Sequence, residues 1–150
     1  MIHDSTADTQ AHINKVQVRI AEIQADLDTR AAQHDRSKLR EPEKSGYDRL
    51  VIRLADVVYG SDEYRAALAE AHDTIAHHYA ANSHHPEHYA NGIAGMSLLD
   101  LVEMLCDWKA ASERALQGSI QQSLEHAIAR FGIEAQLAAI LENTVRDLGW

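Results

Sequence analysis

Residues 97–110 read SLLDLVEMLCDWKA. Ser97 followed three residues later by Asp100 has the form of a capping box, with aspartate in place of glutamate, so a helix starts here and runs to about residue 117. Leu98, Leu99, Leu101, Val102, Met104, Leu105, Cys106 and Trp108 cover most of its circumference. A helix that is apolar nearly all round belongs inside a fold, which makes this one central. Its polar exceptions are also ordered, because Asp100, Glu103 and Asp107 recur at spacings of three and four and form one acidic ridge. A carboxylate in an apolar interior needs a cation or several donors. A metal ion, pairing with Arg53 or Arg65, or simple exposure of the ridge would each meet that need.

The segments on either side repeat the helical signal. Ile13, Val16, Ile20, Ile23 and Leu27 are spaced 3, 4, 3 and 4, which predicts a helix over about 6–31. His34 to Leu39 makes a short helix that ends before Pro42, and Tyr47, Leu50, Val51, Leu54, Val57 and Val58 mark another, closed by Gly60. A fourth spans about 62–82, with Tyr64, Leu68, Ala71 and Ile75 on one side; Asn82, Pro86 and Asn91-Gly92 make 83–95 a loop. Two more lie near 119–131 and 134–148. No strand-like alternation is found. The expectation is an all-α fold, one domain over residues 1–150, built as a bundle of about six helices.

A chain of 150 residues, 45% apolar, is long enough for one real core. The single Cys106 forbids an internal disulfide and suits a reducing compartment. The start, MIHDSTADTQ, lacks a signal-peptide profile, and no apolar run approaches a membrane span. The expectation is a cytoplasmic protein without a membrane partner. A formal net charge of −9 argues against binding long nucleic acid, yet residues 34–53 carry six Lys and Arg against four Asp and Glu, so a local anion site beside acidic ligands competes with an ordinary solvated helix surface.

Three His-Asp pairs occur, at 3–4, 34–35 and 72–73, so the dipeptide alone decides nothing. Five of the ten histidines fall in HHYAANSHHPEH, residues 77–88. Neutral imidazole is the commonest metal ligand, although an exposed loop would tolerate the same residues. At 100° per residue His78 lies about 60° from Ile75 and borders the buried face, while His77 points about 160° away. His12 sits at the edge of the first apolar stripe, where a histidine is more often a satisfied core residue than a ligand.

Read in order, His12, His34-Asp35, His78, His84-His85 and Asp107 resemble the H…HD…D signature of the HD-domain phosphohydrolase superfamily. HDRSKLREPE, residues 34–43, is similar to the HDxxKxxxPD/E stretch of members with two-metal centres, although the glycine-rich segment that follows the paired histidines in cyclic-dinucleotide enzymes is absent. The whole chain also resembles a family of small uncharacterised bacterial and phage proteins, through HDRSK, HHYAANSHHPEH and LLDLVEMLCDWKAA. The superfamily resemblance implies a helical bundle in which His12, His34, Asp35 and Asp107 hold one divalent ion and His78, or His77 in its place, joins His84 and His85 to complete a second site.

Ligands of these types suit one or two first-row ions: Mn, Fe, Co, Ni or Zn. Such an ion acidifies its water for attack on phosphorus, with Asp35 and Lys38 as the catalytic pair. Lys38 and Arg36 would bind the phosphate of a small-molecule substrate. Asp100 and Glu103 would orient imidazoles from behind. The expected activity is hydrolysis of a nucleotide or another small phosphate ester. Two alternatives stand beside it: a di-iron oxygenase of the same superfamily, and a non-catalytic helical metal-binding or assembly protein. In the last, the apolar C-terminal helices, ending in Leu148, Gly149 and Trp150, form a homo-oligomer surface or else cover the chain's own core.

Overall fold

The computed structural model describes residues 4–58, 60–114 and 118–150. Among them are seven α-helices, three short 3-10 turns and no strand, so the fold is all-α. The chain forms two compact units, Met1–His34 and Asp35–Trp150. None of the described helices is long and apolar enough to cross a membrane.

The first unit is one helix, α1 (Thr6–Gln33), which buries none of its own residues. Asp4, one residue before the N-cap Ser5, accepts from Thr6 N at 3.0 Å and Thr6 Oγ1 at 2.7 Å and so satisfies one free N–H of the first turn.

The second unit opens with a 3-10 turn, Arg36–Leu39, and then α2 (Glu43–Leu54). That helix starts four residues earlier than its apolar pattern implied, directly after Pro42, whose missing N–H costs nothing at a helix start. Of the apolar residues expected to face the core, Leu50 is buried, while Val51 and Val58 are exposed. The single helix expected over 62–82 is two, α3 (Asp62–Glu70) and α4 (His72–Ala81), broken at Ala71 where φ is −93° and ψ 10°. No glycine or proline marks the break. It lets both segments pack on α2.

Where α2 crosses α4, Gly46 is buried and a Cβ there would collide with the Thr74 side chain. Gly46→Ala is therefore expected to cost about 1–3 kcal/mol by overpacking, despite alanine's better helix propensity. Urea denaturation checks this, and an unchanged or raised midpoint would contradict the close crossing.

Turns at Pro86–His88 and Gly92–Gly95 lead to α5 (Leu98–Ser112), α6 (Ile120–Phe131) and α7 (Ala135–Asp147). The capping box is present in both directions: Ser97 Oγ accepts from Asp100 N at 3.2 Å, and Asp100 Oδ2 accepts from Ser97 N at 2.8 Å. The helix ends at Ser112, with Glu113 as its C-cap, before the expected end near residue 117, which itself lies outside the described residues. α5 is less enclosed than its composition implied. Met104 and Leu105 are buried, but Leu98, Val102 and Cys106 are exposed.

The main core joins Leu105 of α5 to Ile120, Leu124, Ile133, Ala138, Leu141 and Val145. Gly132, at φ 60°, supplies the left-handed stop between α6 and α7. Trp150 packs against this core, and Gln121 donates to its carbonyl at 3.0 Å. The terminal tryptophan thus covers the chain's own interior.

Candidate metal centre

The centre is assembled from the start of the second unit and the turn after α4. Asp35 has φ 56°, the left-handed region, which costs a non-glycine residue roughly 1–2 kcal/mol and which aspartate tolerates better than most. Strain of this kind collects at functional sites. In this conformation Asp35 sends Oδ2 to Lys38 Nζ at 2.6 Å and Oδ1 to His78 Nε2 at 3.3 Å and His84 Nε2 at 3.6 Å.

His78 projects from the last turn of α4 and is 1% exposed. Asn82 ends that helix, its side-chain amide donating to His78 O at 2.7 Å and to Ser37 Oγ at 2.9 Å. The chain then turns at Ser83 and His84, with His85 N donating to Asn82 O at 3.3 Å, so His84 and His85 face their helical neighbour: His78 Nε2 and His85 Nε2 are 2.9 Å apart, and the His84 and His85 ring centres 4.2 Å apart. One ligand atom each from Asp35, His78, His84 and His85 all lie within 4.8 Å of one another, a group able to hold a metal ion.

The residue behind His78 is Glu43, fully buried. Its Oε2 meets His78 Nδ1 at 2.9 Å and Ser37 Oγ at 2.8 Å, and its Oε1 meets His77 Nδ1 at 2.8 Å. Burial alone would raise the Glu43 pKa, but the bonds from His77, Ser37 and His78 outweigh it and hold it below the usual carboxylate value. An ionised carboxylate only accepts, so His78 carries its proton on Nδ1 and turns the lone pair of Nε2 toward Asp35 and His85. Glu103 stands in the same relation to His84, with Oε1 3.1 Å from Nδ1.

Burial keeps the imidazoles of His78 and His85 neutral. Burial first, then the neighbouring His84 and His78, push the His85 pKa down to about 3; burial, then the Lys38 charge, lower that of His78. In the unfolded chain both titrate near 6.5. Below that pH the unfolded state takes up protons that the folded state refuses, so stability falls as pH drops from about 6.5 toward 3. Glu43, depressed from 4.5, acts with the same sign at the lower end. The denaturation midpoint of chelator-treated protein should accordingly be lower at about pH 5 than at about pH 7, and a flat profile would contradict neutral burial of the imidazoles.

The spacing fits an ion. Two ligands about 2.1 Å from one ion stand about 3.0 Å apart at a right angle and about 3.4 Å apart at the tetrahedral angle. The separations of 2.9, 3.3 and 3.6 Å fall around those values. With the His78 proton on Nδ1, its Nε2 lone pair faces the Asp35 carboxylate at 3.3 Å, a repulsion that a cation between them would relieve.

Of the residues singled out in the sequence, Asp35, His78, His84 and His85 come together, with Lys38 on Asp35 and Glu103 on His84. Asp107, half-buried on α5, places a carboxylate oxygen within 4.8 Å of a His84 nitrogen. His77 is half-exposed and tied to Glu43, so of the two adjacent histidines His78 is the one that enters the group. Arg36 is exposed. Asp100, 4% exposed, accepts from Ser83 Oγ, Tyr89 OH and Ser97 and thereby pins both ends of the histidine turn to α5. His12, exposed on α1, and His34, which ends that helix, belong to the N-terminal unit.

Glu43, Ser37 and Asn82 escaped the sequence reading. Glu43 is the last letter of HDRSKLREPE, so the motif contained it, but no periodicity marks it as buried.

Residues 1–147 match the model of a family of unknown function, DUF5662. The chain belongs to that family. No curated protein and no solved structure is matched.

Proposed function

We propose that this DUF5662 chain is a metal-dependent phosphohydrolase acting on a nucleotide or another small phosphate ester, with its ion held by Asp35, His78, His84 and His85. The observation that carries the reading is the convergence of one carboxylate and three imidazoles beside a lysine. Bound there, a divalent ion supplies a Lewis acid and a water acidified toward neutrality.

The remaining roles belong to the protein. Asp35 is held by Lys38 on one oxygen, which leaves the other to face the imidazoles. Glu43 and Glu103 fix the tautomers of His78 and His84 from behind. Lys38 lies 5.0 Å from the centre of the Tyr47 ring and is about a third exposed (32%), so its ammonium, with three donors, has capacity beyond Asp35 for an approaching phosphate oxygen. That cation favours phosphate chemistry over oxygen chemistry. A second ion would draw on Asp107 with His84. The expectations for His12 and His34 are tested by the ion content of His12→Ala and His34→Ala.

Lys38→Met is expected to lower turnover by about a hundredfold while the ion is retained, as for loss of one preorganised electrostatic donor. The decisive experiment is phosphate release across a panel of nucleotides and phosphate esters, with each candidate metal and with Asp35→Asn as control. Turnover that is equal in Asp35→Asn would sink the proposal. So would oxygen uptake with an iron absorbance band and no phosphate release, the outcome expected of the oxygenase.

A further inference from the structure

α1 raises a question that the metal centre does not answer. Its apolar residues Ile13, Val16, Ile20, Ile23 and Leu27 follow a strict heptad, with Ile13, Ile20 and Leu27 at one seam position and Val16 and Ile23 at the other. No described residue of the N-terminal unit buries that seam: Ile13, Val16, Ile20 and Ile23 keep 42, 42, 51 and 46% of their surface, and Leu27 is half-buried. The positions flanking the seam carry no large apolar residue: Gln10, Gln17, Gln24 and Ala31 line one side, His12, Arg19, Asp26 and Gln33 the other. A helix seated on a globular core has a broader stripe that includes one of those flanks, whereas a two-residue seam matches another helix of the same period.

We propose that the seam is covered by α1 of a second copy of this chain, in an antiparallel two-helix coiled coil. Orientation follows from the flanking charges. With Ile20 set opposite the second copy's Ile23, antiparallel helices bring Arg19 to the second copy's Asp26 and Gln17 to the second copy's Gln24, each pair formed twice by the two-fold symmetry. In a parallel pair Arg19 would meet Gln24 and Asp26 would meet Ala31, and no opposite charges would be matched. Within one chain Arg19 bonds Glu22 at 2.7 Å and Asp26 bonds Arg30 at 2.6 Å, so both side chains already stand at the helix surface as charged groups.

Sedimentation equilibrium of the full-length protein tests this. The expected result is twice the chain mass, lost in Ile20→Asp while far-UV helicity and ion content are kept. A charge exchange at exposed positions reads the register without risk to folding. Arg19→Asp and Asp26→Arg should each weaken self-association several-fold, and an equimolar mixture of the two should pair as tightly as the original chain, because every contact is then Asp with Arg. A monomer at all concentrations, or a dimer indifferent to Ile20→Asp, would overturn the proposal. Failure of the mixture to pair would overturn the antiparallel register.

Discussion

Replacing Asp35 by asparagine is expected to remove the bound ion and with it all metal-dependent activity, while leaving the helices in place. Asparagine is close to isosteric and tolerates the left-handed backbone at φ 56°, so the change isolates the charge. Asp35 supplies the carboxylate of the four-residue group, with its Oδ1 facing two imidazole nitrogens and its Oδ2 holding Lys38. Changes behind a ligand cost about 10–100-fold in metal affinity, and loss of the ligand charge itself should exceed that. Calorimetric titration of the metal-free variant with zinc or manganese, alongside circular dichroism, reads both parts. Full ion content in Asp35→Asn would remove this residue from the centre.

The second large effect is expected at Glu43, which need not touch the ion. Its carboxylate accepts from two imidazoles and a hydroxyl in a fully buried position. Glu43→Gln leaves one oxygen where two were used and removes the charge that fixes the His78 tautomer, so metal affinity should fall about 10–100-fold. Glu43→Ala strands the donors and should also destabilise the fold by about 1–3 kcal/mol. A merely structural glutamate would lose stability in both variants without a change in metal affinity. Partial recovery in Glu43→Asp would mark it as a positioning residue.

How far the sequence carried depended on which interactions are local. The stripe from Ile13 to Leu27 and the Ser97–Asp100 box are written in spacings of three and four, and α1 and the start of α5 stand where those spacings put them. The same 100° count separates His78, 1% exposed, from its half-exposed neighbour His77. The break at Ala71 was illegible because it uses no glycine or proline; it follows from how α3 and α4 each meet α2, which is a tertiary matter. Helix α5 looked enclosed on composition alone, yet Leu98, Val102 and Cys106 are exposed, since apolar content does not say how many neighbours a helix has.

The centre was half legible for the same reason. Residue types and order along the chain nominated Asp35, His84 and His85, because metal ligands are recognisable by their chemistry. Glu43 was not nominated, because an acidic residue beside a proline in a charged stretch is usually solvated. Its burial arises only when α2 and α4 close around it. Asp100 and Glu103 lie on one ridge and looked alike, but one clamps the turn through Ser83, Tyr89 and Ser97 while the other reaches His84.

Elemental analysis of protein prepared without a histidine tag, and exposed to manganese, iron, cobalt, nickel and zinc in turn, tests the central claim most directly. A cation shared by Asp35, His78, His84 and His85 predicts at least one tightly held divalent ion per chain, absent from Asp35→Asn. A chain that retains no ion from any of these metals would contradict it.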